Sequence, residues 1–115
     1  MILTNKSKED FERWLYSNDV LIKDGIYDDT YLIEVFDELP LNLQYAYIID
    51  FFFSKNLHIT EVLDGELNLK YVLTPVLEIC FLKEQIISEN TFSLDISLCK
   101  IEAIKKANEI YNTTL

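Results

Sequence analysis

Glycine and proline number two each in a chain of 115 residues. So little of either excludes a glycine-rich phosphate loop, a long flexible linker and a low-complexity tract, and no internal repeat is present. Cysteine is equally scarce. Cys80 and Cys99 lie far apart, neither belongs to a C-x-x-C pair, and two buried free thiols are expected rather than a disulfide framework. The longest unbroken apolar run, Tyr45 to Ile49, is five residues, far short of the ~20 that a membrane-spanning helix needs. After Met1-Ile2-Leu3 the chain turns polar and charged at Thr4-Asn5-Lys6, which is not the pattern of a secretory signal. The cytoplasm is the expected location, with no membrane contact.

Positive charge is also in short supply. Ten Lys and Arg face twenty Asp and Glu, for a net charge of −10. The imbalance is uneven: residues 1–64 hold thirteen acids and five bases, and residues 65–115 hold seven and five. Asp24, Asp28, Asp29, Glu34, Asp37 and Glu38 follow one another with no base between them, so that segment projects negative potential wherever it folds. Nucleic-acid binding needs a positive stripe that releases counterions, and the only local excess of Lys is Lys100, Lys105 and Lys106. Direct binding to DNA or RNA is therefore not expected.

What the chain does have is apolar bulk: 50% hydrophobic residues, with seven Phe, seven Tyr and one Trp. That is too much for a disordered chain, and 115 residues fit one domain, residues 1–115, that buries roughly two thirds of its unfolded surface. Ser7 as N-cap with Asp10 in the capping-box position, followed by Phe11, Trp14 and Leu15, predicts a helix over 7–17. Turns flank a short strand at Val20-Leu21-Ile22. From Asp29 or Thr30, the apolar rhythm Tyr31, Leu32, Val35, Phe36, Leu39 predicts a second helix, which Pro40 stops. Pro40 is also suited to be the first residue of a third helix running to Lys55. Its polar stripe of Asn42, Ala46, Asp50 and Ser54 is narrow, so this central helix is expected to be buried on most sides, with Asn56 as its C-terminal cap.

Strand patterns follow. Leu57, Ile59 and Leu63 share a parity with Leu67, Leu69, Tyr71 and Leu73. A three-residue loop, Asp64-Gly65-Glu66, puts both apolar rows on one face, so a bulged hairpin is expected there. Val76 to Leu82 reads as another strand, with Leu77, Ile79 and Phe81 on one face, and Ile86-Ile87 with Phe92-Ser93-Leu94 as a last, weaker one. After Asp95 or Ser97 as cap, Ile101, Ala103, Ile104, Ala107, Ile110 and Tyr111 make the apolar stripe of a final helix that should cover one face of the sheet. Glu102 with Lys106 and Lys105 with Glu109 are spaced for surface pairs. The expected fold class is α+β: a small antiparallel sheet of three to four strands packed against a buried central helix and a C-terminal helix.

No catalytic pattern emerges. The single histidine, His58, sits in a strand-like segment without a nucleophile or orienting partner marked in the sequence, and reads as an ordinary strand residue. Nucleophile-elbow, Walker, H-E-x-x-H and dinucleotide signatures are missing. A calcium loop counted from Asp24 puts Ile26 where a ligand belongs and Asp29 where glycine belongs, so that match fails. No metal, cofactor or enzymatic activity is assigned.

Two stretches carry a resemblance. Glu38-Leu39-Pro40, Gln44 and Asp50-Phe51-Phe52, together with Glu102 to Asn112 (EAIKKANEIYN), resemble small proteins of uncharacterised function encoded by bacteriophages, prophages and related bacterial genomes, over about a quarter of the chain. The resemblance implies a phage or mobile-element accessory protein acting in a bacterial cell and transfers no catalytic residue. The resulting expectation is a non-enzymatic acidic protein-binding module, an inhibitor of a host defence protein with a basic surface. Its binding face would comprise Asp24, Tyr27, Asp28, Asp29, Glu34, Asp37 and Glu38. Two alternatives stay open: a bacterial immunity protein that neutralises a toxin, and a small structural or assembly component that forms a homo-oligomer such as a homodimer.

Overall fold

The computed structural model describes residues 1–18, 32–64, 68–75, 84–91 and 96–114. Among them run helix α1 (Asn5–Asn18), α2 (Leu32–Glu38), α3 (Leu41–Ser54), strands β1 (Leu57–Asp64), β2 (Asn68–Pro75) and β3 (Gln85–Thr91), and helix α4 (Ile96–Thr114). The strands form one antiparallel sheet in the order β1-β2-β3. Helix α4 lies over β2 and β3, α3 meets β1, and α1 packs against the other three helices. This is the expected α+β class.

One aromatic-rich core joins the layers. Phe11 and Leu15 of α1, Phe36 of α2, Ile48, Phe51 and Phe52 of α3, Leu57 and Leu73 of the sheet, and Ala103, Ile104 and Ala107 of α4 are fully buried. Phe51 is at its centre, with ring centroids 5.4 Å from Phe11, 5.9 Å from Trp14, 5.4 Å from Phe52 and 5.7 Å from Tyr111. Those spacings and the tilted or edge-on angles are the ones aromatic quadrupoles favour.

The start of α1 departs from expectation. The helix begins at Asn5, whose φ of 54° is in the left-handed region that Asn tolerates better than most residues. Ser7 is therefore inside the helix. It is buried on the same face as Phe11 and Leu15, and its hydroxyl has no hydrogen-bond partner. The capping comes from the other end of the chain: Ser7 N–H donates to Asn112 Oδ1 at 2.7 Å and Thr4 N–H to Asn108 Oδ1 at 3.0 Å. In return, Asn108 Nδ2 donates to Thr4 Oγ1 at 2.9 Å and Asn112 Nδ2 to Thr4 O at 3.0 Å. Asp10 accepts the Tyr111 hydroxyl proton at 2.6 Å instead of closing a capping box. A tertiary clasp thus replaces the local motif.

Pro40 is the residue just ahead of α3, where its carbonyl accepts from Leu43 N–H and Gln44 N–H. Gln44 is buried, and its Nε2 donates to Asp37 O and Leu39 O at 3.1 and 2.9 Å, satisfying carbonyls that the end of α2 leaves open. The polar stripe of α3, Asn42, Ala46, Asp50 and Ser54, is exposed as expected. The helix is not buried on most sides, however. Leu41, Leu43 and Phe53 are also exposed, at 58%, 44% and 51%. Asn56 follows the Lys55 cap with φ 67°, the left-handed position that ends many helices.

In the hairpin Leu57 pairs with Pro75, Ile59 with Leu73, Glu61 with Tyr71 and Asp64 with Asn68. Odd residues face odd, so Leu57, Ile59, Leu69, Tyr71 and Leu73 share the buried face, as the parity argument requires. The connection is three residues, 65–67, one position later than expected, and the register is offset by two, which leaves every side chain on its own face. A bulge lies between β2 and β3, at Tyr71 and Val72. β3 includes the expected Ile86-Ile87. The expected strand at Val20–Ile22, Leu67, the strand from Val76 to Leu82, Phe92–Leu94, Tyr31, Cys80 and the Asp95 cap lie outside the described residues. Ser97 is within α4 and is not its cap. The surface pairs of α4 form at i,i+3 spacing, Glu102 with Lys105 at 3.8 Å and Lys106 with Glu109 at 3.7 Å, in place of the i,i+4 partners expected.

Candidate functional site

Helix α2 carries the described part of the acidic face. Glu34, Asp37 and Glu38, at i, i+3 and i+4, point to one side and all three are exposed, while Phe36 and Val35 hold the other side against the core. Asp37 lies 3.7 Å from the amino group of Met1. Among the described residues no ion pair joins these acids to the lysines of α4; Lys105 and Lys106 pair with Glu102 and Glu109 of their own helix. Asp24, Tyr27, Asp28 and Asp29 lie outside the described residues.

The chain turns at Leu39-Pro40 and presents Leu41 and Leu43 directly after the acids. Further along α3, Asp50 and Phe53 share the exposed side. The Phe53 ring meets His58 of β1 at 5.2 Å in an edge-on arrangement. His58 is an exposed strand residue. Exposed apolar side chains thus follow the acids of α2 along the chain. The apolar part is hard to read from sequence because most positions of the segment from Pro40 to Lys55 are apolar. Its signal is the offset: Leu43 and Phe53 flank the Asn42-Ala46-Asp50-Ser54 stripe rather than the Ile48-Phe52 line.

Two buried tyrosines have perturbed protonation. Burial raises the Tyr111 phenol well above its ordinary range, and its hydrogen bond to Asp10 and the charge of that carboxylate raise it further. Burial, then the charges of Glu61 and Cys99, pushes Tyr71 up to about 12. Its buried hydroxyl makes no hydrogen bond of good geometry, and its looser contact is with the cross-strand Glu61. Cys99 is a buried free thiol with Ser88 Oγ at 3.1 Å. These groups sit against α4 or in the α1–α4 clasp and serve packing.

A separate cleft opens beside α1. Asp10, Arg13, Trp14 and Ser17, one helical face, line it with Lys55 from the end of α3, around a cavity of about 170 Å³. Among the described residues, no group of three or more His, Cys, Asp or Glu is arranged to hold a metal ion, and no helix is long and apolar enough to cross a membrane. Comparison with family models, curated proteins and solved structures finds no match to this chain.

Proposed function

We propose that this protein is a non-enzymatic binding module that inhibits a bacterial host protein, a defence protein in the setting of a phage or mobile element, by covering a basic surface on it in the cytoplasm. The observation that carries the reading is the run of exposed Glu34, Asp37 and Glu38 on α2, continued by exposed Leu41 and Leu43. Fixed carboxylates raise the rate of encounter with a positive surface, and apolar side chains beside them supply contact area once the partner has docked. A toxin neutralised by an immunity protein would be met with the same charge logic.

The test is affinity capture from the host cell with mass-spectrometric identification of what is retained, repeated at rising salt and with Asp28→Lys, Asp29→Lys and Asp37→Lys combined. A basic partner that is lost in high salt and not retained by the triple variant supports the proposal. Capture that ignores both changes contradicts it.

A second reading is favoured by one observation, the exposure of Leu41, Leu43 and Phe53 on α3, which would suit a homo-oligomer assembled through that helix. Light scattering separates the two. An oligomer that grows with concentration and survives high salt supports assembly, and a strict monomer opposes it.

A further inference from the structure

The chain's only arginine and only tryptophan are adjacent, Arg13 and Trp14, and both line the cleft beside α1. In a protein of net charge −10, a hollow lined by two cations, one carboxylate, an indole and a hydroxyl runs against the overall field. We propose that this cleft binds a small organic monocarboxylate, its carboxylate held by Arg13 and Lys55 and its apolar part laid on Trp14.

Each side chain has a physical reason to be there. The Trp14 ring is fixed by Phe11, stacked at 5.8 Å, and by Phe51, edge-on at 5.9 Å, so it is a wall set before any ligand arrives. Asp10, also in the lining, is occupied: it accepts from the Tyr111 hydroxyl at 2.6 Å and from Arg13 at 3.4 Å. The Arg13 contact is long and imperfect and the side chain is 75% exposed, so its guanidinium can still receive a second carboxylate, the partner it recognises best. None of the ion pairs among the described residues involves Lys55. Ser17 offers a hydroxyl one turn beyond Arg13.

Charge and size select the ligand class. Two cations against one committed carboxylate leave a single net positive charge, which suits a monoanion. A phosphate dianion would meet both Asp10 and the field of the remaining acids. A cavity of about 170 Å³ is below the ~300 Å³ at which drug-sized or nucleotide ligands begin to fit, so it takes a carboxylate with a short apolar body. That chemistry occurs both in free aromatic or aliphatic acids and at the C-terminus of a peptide whose last side chain is apolar.

Trp14 reports on its own site, since no other tryptophan contributes fluorescence. The titration uses benzoate and N-acetyl-Gly-Gly-Phe as the two carboxylate sources, with benzamide, the same peptide amidated, and inorganic phosphate as comparators. A saturable change in Trp14 emission with either carboxylate, at least roughly tenfold weaker with its amide and with phosphate, supports the proposal, and the tighter of the two names the source. Arg13→Gln with Lys55→Gln should weaken it by a similar factor, and Lys55→Gln alone, at an exposed position outside the core, keeps the test readable if the double variant is unstable. No saturable response to either carboxylate, equal response to the amides, tighter binding of phosphate, or unchanged binding in the Lys55→Gln and double variants would each overturn it.

Discussion

Removing Asn112 tests whether the first helix is anchored by its own sequence or by the far end of the chain. The first amides of a helix have no partner within it, and at α1 the Ser7 N–H is served by Asn112 Oδ1 at 2.7 Å. Loss of an N-terminal capping acceptor costs about 1 kcal/mol. The second bond, from Asn112 Nδ2 to Thr4 O at 3.0 Å, adds about 1 kcal/mol, typical of a net intramolecular hydrogen bond. Asn112→Ala is therefore expected to destabilise by about 2 kcal/mol, and for a domain of this size the midpoint of thermal unfolding falls by roughly 8 °C. Urea unfolding followed by Trp14 fluorescence measures it directly, because Trp14 packs on Phe11 and Phe51. Asn112→Asp keeps the acceptor, now charged and at the positive end of α1, and should cost less than the alanine. Ser7→Ala is the decisive comparison. A capping Ser7 would cost about 1 kcal/mol on removal, whereas the buried, unpartnered hydroxyl found here makes the change neutral or stabilising. A loss at Ser7 larger than the loss at Asn112 would refute the tertiary clasp.

Further outcomes follow from the same contacts. Tyr111→Phe removes a buried bond to a carboxylate and should cost about 2 kcal/mol, while Tyr71→Phe removes a hydroxyl with only a loose contact to Glu61 and should be close to neutral in denaturant titration. Both phenols are held neutral by the fold, with pKa values above the ordinary 10. Their contribution is whole below pH 10 and is lost as pH rises, for Tyr71 through about 12, so stability should fall above pH 10 by up to about 1.4 kcal/mol per pH unit for each tyrosine. A flat profile between pH 10 and 12 would oppose this. Gln44→Ala leaves the carbonyls of Asp37 and Leu39 without their buried donor and should cost about 2 kcal/mol, read by chemical denaturation.

Periodicity revealed the faces of this fold, because burial repeats with the helix or strand. Phe11 and Leu15, Ile48 and Phe52, Leu69, Tyr71 and Leu73, and Ala103, Ile104, Ala107, Ile110 and Tyr111 all fall inside where spacing puts them. Pairing details were less legible. The two-residue register offset in the hairpin leaves parity intact, so the hydrophobic pattern carries no information against it. Asn108 and Asn112 read as ordinary polar positions of an amphipathic helix, and nothing local marks them as caps for a helix about a hundred residues away. The stretches around Gln44 and from Glu102 to Asn112 both contain joints of the structure, Gln44 at the α2–α3 turn and Asn108, Tyr111 and Asn112 in the clasp. Of the proposed acidic face, the rhythm of α2 foretold the outward direction of Glu34, Asp37 and Glu38. The cleft escaped notice because Lys55 joins Arg13 and Trp14 only through the packing of α3 on α1.

The most direct test of the binding account is the association rate of the captured partner across a salt series, measured for the unaltered chain and for Glu34→Lys, Asp37→Lys and Glu38→Lys combined. Attraction between fixed opposite charges predicts a rate that drops steeply with ionic strength in the first and is slow and nearly salt-independent in the second. Equal rates for the two proteins, unchanged by salt, would contradict it.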